Sequence, residues 1–327
     1  MKKKEGKLII ATFSGLGNQM FHYAFYKYLK LSSFNVYLDI NSPQSQRQYQ
    51  RHETFRLDYF QLNDINYATK NDVLEFITPQ DEIFSRPFAK IIKTEPFFSI
   101  LKVFLHKIRT KIIYSLYGRS KCWVEWERKG RGKKFYRSDL TKNTRAYMVG
   151  TYQEYFYLNS IRKYLINDFT FTQKMPEPVL QYYSEIIKQN SVSIHIRRGD
   201  YSTTKEFDIC SIEYYKKAID FISKNLKNPV FFVFSDDLQW VKNNFCFLNA
   251  YTIVDNSSSE KSDYCDLYLM TNCKHNIIPN STFSWWAAWL NQNANKIVVC
   301  PEMWNGLDFI RTDEICPPEW KRVSNLL

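Results

Sequence analysis

From residue 190 onward, short runs of β-branched and aromatic residues alternate with longer stretches whose apolar positions recur every three or four residues. SVSIHIR (191–197), PVFFVFS (229–235), YTIVD (251–255), HNIIPN (275–280) and KIVVCP (296–301) read as strands. IEYYKKAIDFISKNL, DDLQWVKNNF, SDYCDLYLMTNC and TFSWWAAWLNQN read as the helices between them. Strands alternating with helices of these lengths predict a parallel, doubly wound sheet with right-handed crossovers. The N-terminal part opens similarly: KLIIATF (7–13) as a strand, SGLGNQ as a turn, MFHYAFYKYLKLS as a helix and FNVYLDI as a second strand. Residues from about 40 to 145 follow no regular period. Pro176 and Pro178, ahead of a clean helical pattern, mark the best boundary. The pattern therefore predicts an α/β chain of two Rossmann-like domains facing a cleft, 1–175 and 176–327, the C-terminal one the clearer.

Open parallel sheets bind ligands outside the carboxyl ends of their strands, and each conspicuous polar cluster falls at such an end. GLGNQ follows the first strand, HIRRGD follows SVSI, SDD follows PVFFVF, and NSTFS follows HNIIP. Each has an ordinary explanation. Gly15 and Gly17 suit a tight turn, and lack the third glycine of a dinucleotide fingerprint. Ser281 and Thr282 suit helix capping, Asp236 suits the start of DDLQW, and Arg198 suits an ion pair with Asp200. Together they also suit an anion. Paired glycines and a helix N-terminus offer backbone N–H groups, and the planar guanidinium forks of Arg197 and Arg198 match phosphate oxygens. There is no D-x-D motif for a metal-bridged nucleotide, and the carboxylates of Asp236 and Asp237 could instead accept from the N1–H and amino group of guanine.

Composition narrows the classes. The chain has 327 residues, 25 Phe and 23 Tyr, enough for a large aromatic core, and seven scattered cysteines that form neither a disulfide framework nor a zinc pattern. No apolar run approaches the roughly 18–20 residues that span a bilayer, and MKKKEGKLIIATF lacks the long apolar stretch of a secretion signal. The expectation is a cytoplasmic protein, or one peripheral to the inner face of a membrane. The net charge of +12 is carried by residues 86–137, where 15 lysines and arginines face three acids. FFSILKVFLHKIRTKIIYSLYGRSK reads as a basic amphipathic helix, compatible with an anionic membrane surface or simply with solvent. No nucleic-acid-binding motif accompanies it.

HIRRGDY, FVFSDD, NSTFSWWAAWL and GLGNQMF together resemble the α-1,2-fucosyltransferases, particularly the bacterial members, along nearly the whole chain. The resemblance implies a GT-B-like fold, GDP-β-L-fucose as donor, and inverting transfer to the 2-hydroxyl of a terminal β-galactoside on an oligosaccharide or glycolipid, with neither cofactor nor metal. It implies Arg197 at the β-phosphate with Arg198 in support, and His195, Asp236 and Asp237 near guanine. It places Ser281, Thr282 and Ser284 at phosphate, with Asn280, Phe283 and Ser235 beside them, and Gly15, Gly17, Asn18 and Gln19 closing from the other domain. Asp200 is the expected catalytic carboxylate, with Glu206 and Asp208 as further base candidates and Glu154 as an outlying one. A fucosyltransferase of another linkage (α-1,6 or protein O-linked) and a non-catalytic polyanion- or membrane-binding protein are the competing readings.

Overall fold

The computed structural model describes residues 5–41, 55–76, 122–126, 140–199, 209–248, 250–305 and 312–325. Its first unit is a four-stranded parallel sheet in the order β2-β1-β4-β3. The strands are β1 (Lys7–Ala11), β2 (Val36–Asp39), β3 (Cys122–Trp126) and β4 (Arg145–Gly150). Helix α1 (Leu16–Leu31) links β1 to β2, α2 (Lys70–Leu74) follows, and α3 (Tyr155–Ser160) and α4 (Arg162–Asp168) lead out of β4. Strands β3 and β4 and helices α3 and α4 come from stretches whose pattern predicted nothing. The expected basic helix lies outside the described residues, and Cys122–Trp126 within the same charged segment is a strand.

Helix α5 (Glu177–Lys188) opens the second unit with Pro178 in its first turn, where a missing N–H costs nothing. Its sheet is also wholly parallel, in the order β10-β9-β8-β5-β6-β7. The strands are β5 (Asn190–Ile196), β6 (Pro229–Ser235), β7 (Tyr251–Ile253), β8 (His275–Ile277), β9 (Val298–Pro301) and β10 (Lys321–Val323). The connecting helices are α6 (Ile212–Asn225), α7 (Leu238–Asn244), α8 (Ser262–Asn272), α9 (Thr282–Leu290) and α10 (Thr312–Ile315). The sequence pattern predicts α6 to α9 and β5 to β9 to within a few residues and omits β10. Two facing parallel α/β units make the fold GT-B-like.

The second sheet reverses its winding direction once, between β5 and β8; in the first, β4 returns to lie between β1 and β3, and the helices after β1 and β4 pack on each other. A switch point opens a crevice at the carboxyl edge, because the loops there depart to opposite faces. The two edges are brought together by helix packing. Helix α1 lies against α9, and one continuous core runs from Leu8, Met20 and Phe21 of the first unit to Trp285, Trp286 and Trp289 of the second. Each tryptophan buries its ring and donates its indole N–H to a different element: Trp285 to Ile315 O (2.9 Å), Trp286 to Gly17 O (3.0 Å), and Trp289 to Asn159 Oδ1 (3.2 Å).

At Gly17 the two units meet backbone to backbone. A Cβ there would come within 2.6 Å of the backbone N of Phe283 and 2.7 Å of the carbonyl carbon of Thr282. Because the obstacle is backbone, no rotamer relieves it. Gly17→Ala is therefore expected to lower unfolding free energy by about 1–3 kcal/mol, measured by urea denaturation. A variant as stable as the parent would show that the α1–α9 contact yields freely.

Candidate functional site

The carboxyl edges of the two sheets enclose a cleft of about 400 Å³. From the first unit, Ser14 to Asn18 enter it directly after β1. From the second, His195 and Arg197 come from the end of β5, Ser235 and Asp236 from the end of β6, Val254 to Ser257 from behind β7, and Ser281 to Phe283 from behind β8.

Two helix N-termini converge there. Helix α1 begins at N-cap Gly15, which has no side chain to close the first turn. Helix α9 begins at N-cap Ser281, whose side chain makes no capping hydrogen bond. Their first turns thus present backbone donors and the positive ends of two helix dipoles to one space. At the far end of α9, Arg162 donates to Trp289 O (2.8 Å), and Lys296 donates to Ala288 O and Asn291 O (both 2.7 Å). These cations match the negative end of the dipole; burial, with Arg162's charge adding to it, pushes the Lys296 ammonium down to about 8. On the first unit, Ser14 turns the chain with φ 65°, and Asn18 donates to Ser14 Oγ (3.0 Å) while accepting from Gln153 Nε2 (2.8 Å). Gln153, behind β4, therefore braces Asn18 from the carboxyl end of the strand next to β1.

Strand register places the chief cation. β5 and β6 run in step from Asn190 opposite Pro229 to Ile196 opposite Ser235, so the next residues, Arg197 and Asp236, emerge side by side. Arg197 Nη1 lies 3.0 Å from Asp236 Oδ2, and the backbone N–H of Arg198 donates to Asp236 Oδ1 (2.8 Å). A Cβ on Gly199 would stand 2.6 Å from Asp236 Oδ2, so glycine lets the loop wrap this carboxylate. His195 is buried beside Arg197. Burial first, then Arg197's charge, holds its pKa down at about 3, so the ring is neutral. Its Nδ1 has no partner among the described residues, and its ring meets Phe283 edge-on at 5.6 Å.

The opposite wall is acidic. Asp255 and Asn256 follow β7, Asp263 and Asp266 belong to α8, and Arg56 reaches in from the first unit to pair with Asp263. Burial, reinforced by the charges of Asp263 and Asp255, raises the Asp266 carboxyl to about 7, against the opposing hydrogen bond from Asn256 Nδ2 (2.7 Å).

The expected residues divide accordingly. Gly15, Gly17, Asn18, His195, Arg197, Ser235, Asp236, Ser281, Thr282 and Phe283 line the cleft. Gln19 does not: it is fully buried, donating to Ser14 O (2.8 Å) and accepting from Arg56 N (2.9 Å), so it shapes the loop from behind. Arg198 places its guanidinium 4.6 Å from the centre of the Trp240 ring, away from the cleft lining. Asp237, rather than Asp236, caps α7, accepting from Trp240 N at 2.9 Å. Asn280 and Ser284 are buried behind the lining. Glu154 occupies the N-cap position of α3 and does not line the cleft. Asp200, Glu206 and Asp208 lie outside the described residues. The sequence reading passed over Ser14, Arg56, Asp255, Asn256, Asp263 and Asp266. The strand-end rule applied to YTIVDN would have reached Asp255 and Asn256; nothing local marks Arg56.

Residues 7–324 match glycosyl transferase family 11. The chain belongs to this family. An O-antigen biosynthesis glycosyltransferase of Escherichia coli, WbnK, is 45% identical over 131 residues, 38% of this chain and 43% of that protein. An alpha-1,2-colitosyltransferase of Escherichia coli is 37% identical over 150 residues, 43% of this chain and 50% of that protein. A galactoside 2-alpha-L-fucosyltransferase, SEC1, of Bos taurus is 26% identical over 143 residues, 41% of this chain and 39% of that protein. The chain thus spans at most half the length of these curated relatives. Among solved structures, the fucosyltransferase NodZ from Bradyrhizobium aligns over 87% of this chain and 92% of its own, at 15% identity and a TM-score of 0.46. In this family 11 chain, no described group of three or more His, Cys, Asp or Glu side chains could hold a metal ion, and no described helix is long and apolar enough to cross a membrane.

Asp266 generates a pH prediction. Its folded pKa lies above its unfolded one, so from about pH 4 to about pH 7 the native state holds a proton that the unfolded state has lost, and stability falls as pH rises. Asp266→Asn should make the decline in Tm across this window shallower. A decline identical to the parent's would place the buried proton elsewhere.

Proposed function

We propose that the protein is an inverting glycosyltransferase that transfers L-fucose from GDP-β-L-fucose, without a metal ion, to the 2-hydroxyl of a terminal β-galactoside in an oligosaccharide or glycolipid. The observation that carries this reading is the convergence of two helix N-termini and Arg197 on one cleft at the carboxyl edges of both sheets. A diphosphate is the ligand such an arrangement favours, because its oxygens can take the backbone donors of Gly17, Thr282 and Phe283 together with the Arg197 guanidinium. Family membership and the α-1,2-transferases among its relatives support the sugar class and linkage in this reading.

As the glycosidic bond breaks, positive charge develops at the anomeric carbon and negative charge on the departing β-phosphate. Arg197 and the helix donors stabilise that leaving charge, and they are already oriented, so no reorganisation opposes the step. Asp236 keeps the guanidinium aimed. Neutral His195 offers a buried ring nitrogen to the nucleotide without adding charge. The carboxylate for guanine moves from the Asp236–Asp237 pair, one of which is committed to Arg197 and the other to capping α7, to the acidic wall, where Asp266 is held by Asn256. With the Asp266 carboxyl raised to about 7, the guanine N1–H and amino group, both donors, favour its ionised form and bond to it, a pairing that adenine cannot offer. Deprotonation of the acceptor hydroxyl falls to Asp200, with Glu206 and Asp208 as alternates. The basic segment 86–137 is assigned to the acceptor or to an anionic membrane at the cytoplasmic face.

The test is incubation with GDP-fucose and lactose, with and without chelator, reading the product by mass spectrometry and its linkage by fragmentation. An α-1,2-fucosylated product in both arms is expected. Product only without chelator overturns the metal-free reading, and a different linkage overturns the acceptor assignment. The colitosyltransferase relative favours a second reading, a donor with another deoxysugar, which competition between GDP-fucose and GDP-colitose separates.

Arg197→Ala should lower turnover by about 100- to 1000-fold, the usual cost of removing one donor to a developing oxyanion. Arg197→Lys should recover little of it, since a point charge does not reproduce a two-pronged contact. Substantial recovery by lysine, in a variant whose circular dichroism matches the parent, would contradict the phosphate assignment.

A further inference from the structure

The residues lining the cleft include two ion pairs. Arg197–Asp236 joins neighbouring strands within one sheet, whereas Arg56–Asp263 joins the first unit to helix α8 of the second. The second pair is half-exposed, with 27% and 20% of the two side chains accessible, a setting in which an isolated ion pair adds little to stability. Its placement is nevertheless fixed from several directions. The N–H of Arg56 donates to buried Gln19, which in turn holds the Ser14 carbonyl, so the arginine is tied to the turn that feeds α1. The residues that follow are anchored by aromatic packing: Tyr59 and Phe60 both meet Tyr264 edge-on, at 5.5 and 5.6 Å, and Lys261 lies over the Tyr59 ring at 5.2 Å. The segment is therefore docked on α8 without the ion pair. What the ion pair adds is a polar bond across the mouth of the cleft, next to Asp255, Asp266 and Asn256.

We propose that Arg56 is a positioning residue of the donor site: by pairing with Asp263 across the cleft, it fixes the α1 turn of the first unit against the nucleoside-holding wall of the second. This rests on the donor-site reading above. Asp263 and Asp266 are three residues apart on one helix and face the same space, so a fixed Asp263 also fixes where Asp266 and its partner Asn256 stand. The turn at the other end, Ser14 to Asn18, carries the backbone donors for the diphosphate. The ion pair thus sets the span between base-binding and phosphate-binding elements that belong to different units. An unpaired Asp263 would moreover add a bare carboxylate beside an anionic ligand.

The test measures GDP affinity by calorimetry and steady-state kinetics in the full chain. Arg56→Ala and Asp263→Asn should each weaken GDP about tenfold and raise the donor KM to match. kcat at saturating donor should stay within about twofold of the parent, and Tm should hold because the aromatic anchors remain. The double variant should be no weaker than either single one. The charge swap Arg56→Asp with Asp263→Arg should recover most of the affinity. Loss in both singles with recovery in the swap is the expected result. If Arg56→Ala is much the weaker single variant and the swap recovers nothing, Arg56 touches the donor itself and the proposal is overturned. Full recovery of Arg56→Ala by Asp263→Asn would equally overturn it, because charge removal would then suffice without a bridge. Should the parent itself fail to bind GDP, the donor-site reading fails first, and the two failures are told apart by that control.

Discussion

The contact of Gly17 with the first turn of α9 is the constraint on which the cleft depends. It is a backbone-to-backbone approach, tight enough to exclude a single methyl group, and it is locked by the Trp286 indole N–H on the Gly17 carbonyl. Because it joins the starts of two helices, it brings together the two places where a helix has unsatisfied N–H groups. Were the helices to cross further along, the same residues would form two separate N-termini with no shared space. The three tryptophans of α9 serve this geometry. They fill the volume between the units, and their polar ends bind three elements to one helix, so α9 acts as the axle on which the rest is mounted.

Electrostatics follow from that placement. Helix α9 is buried almost throughout, which strengthens its dipole relative to one in water, and the structure supplies Arg162 and Lys296 at its negative end while leaving its positive end for the cleft. Positive potential from the two helices and Arg197 sits on one side, and four carboxyls (Asp236, Asp255, Asp263 and Asp266) lie around it. Two of these hold arginines and one is raised by burial toward neutrality, so the repulsion an anionic nucleotide would meet is much reduced. Under the proposed function, the asymmetry would give the nucleotide a direction, phosphates toward the helix ends and base toward the carboxyls.

What was legible in the sequence was whatever depends on neighbours along the chain. Alternating strand and helix patterns determined the second unit from β5 to β9, because each of these elements buries its own apolar face. The strand-end rule found Arg197, Asp236 and the Ser281–Phe283 turn, since a parallel sheet delivers such residues to one edge whatever surrounds them. The pattern failed for β3, β4, α3 and α4, whose short segments are held by neighbours (β4 by β1, β3 by β4, and α3 and α4 by α1) rather than by their own periodicity.

Tertiary structure alone decided which of two adjacent residues serves the site. Asp236 and Asp237 are indistinguishable in the sequence, as are Arg197 and Arg198. Strand register turns Arg197 and Asp236 toward each other and the cleft, while their neighbours turn to Trp240 and to the first turn of α7. Gln19 reads as part of a ligand loop and is instead the buried peg that holds it. Arg56, with no motif around it, becomes part of the cleft only because aromatic packing lays its segment across α8. The sequence by itself determined that four polar clusters stand at strand carboxyl ends. Packing between the units decided which side chains face the cleft, because that choice depends on contacts between residues as far apart as Arg56 and Asp263.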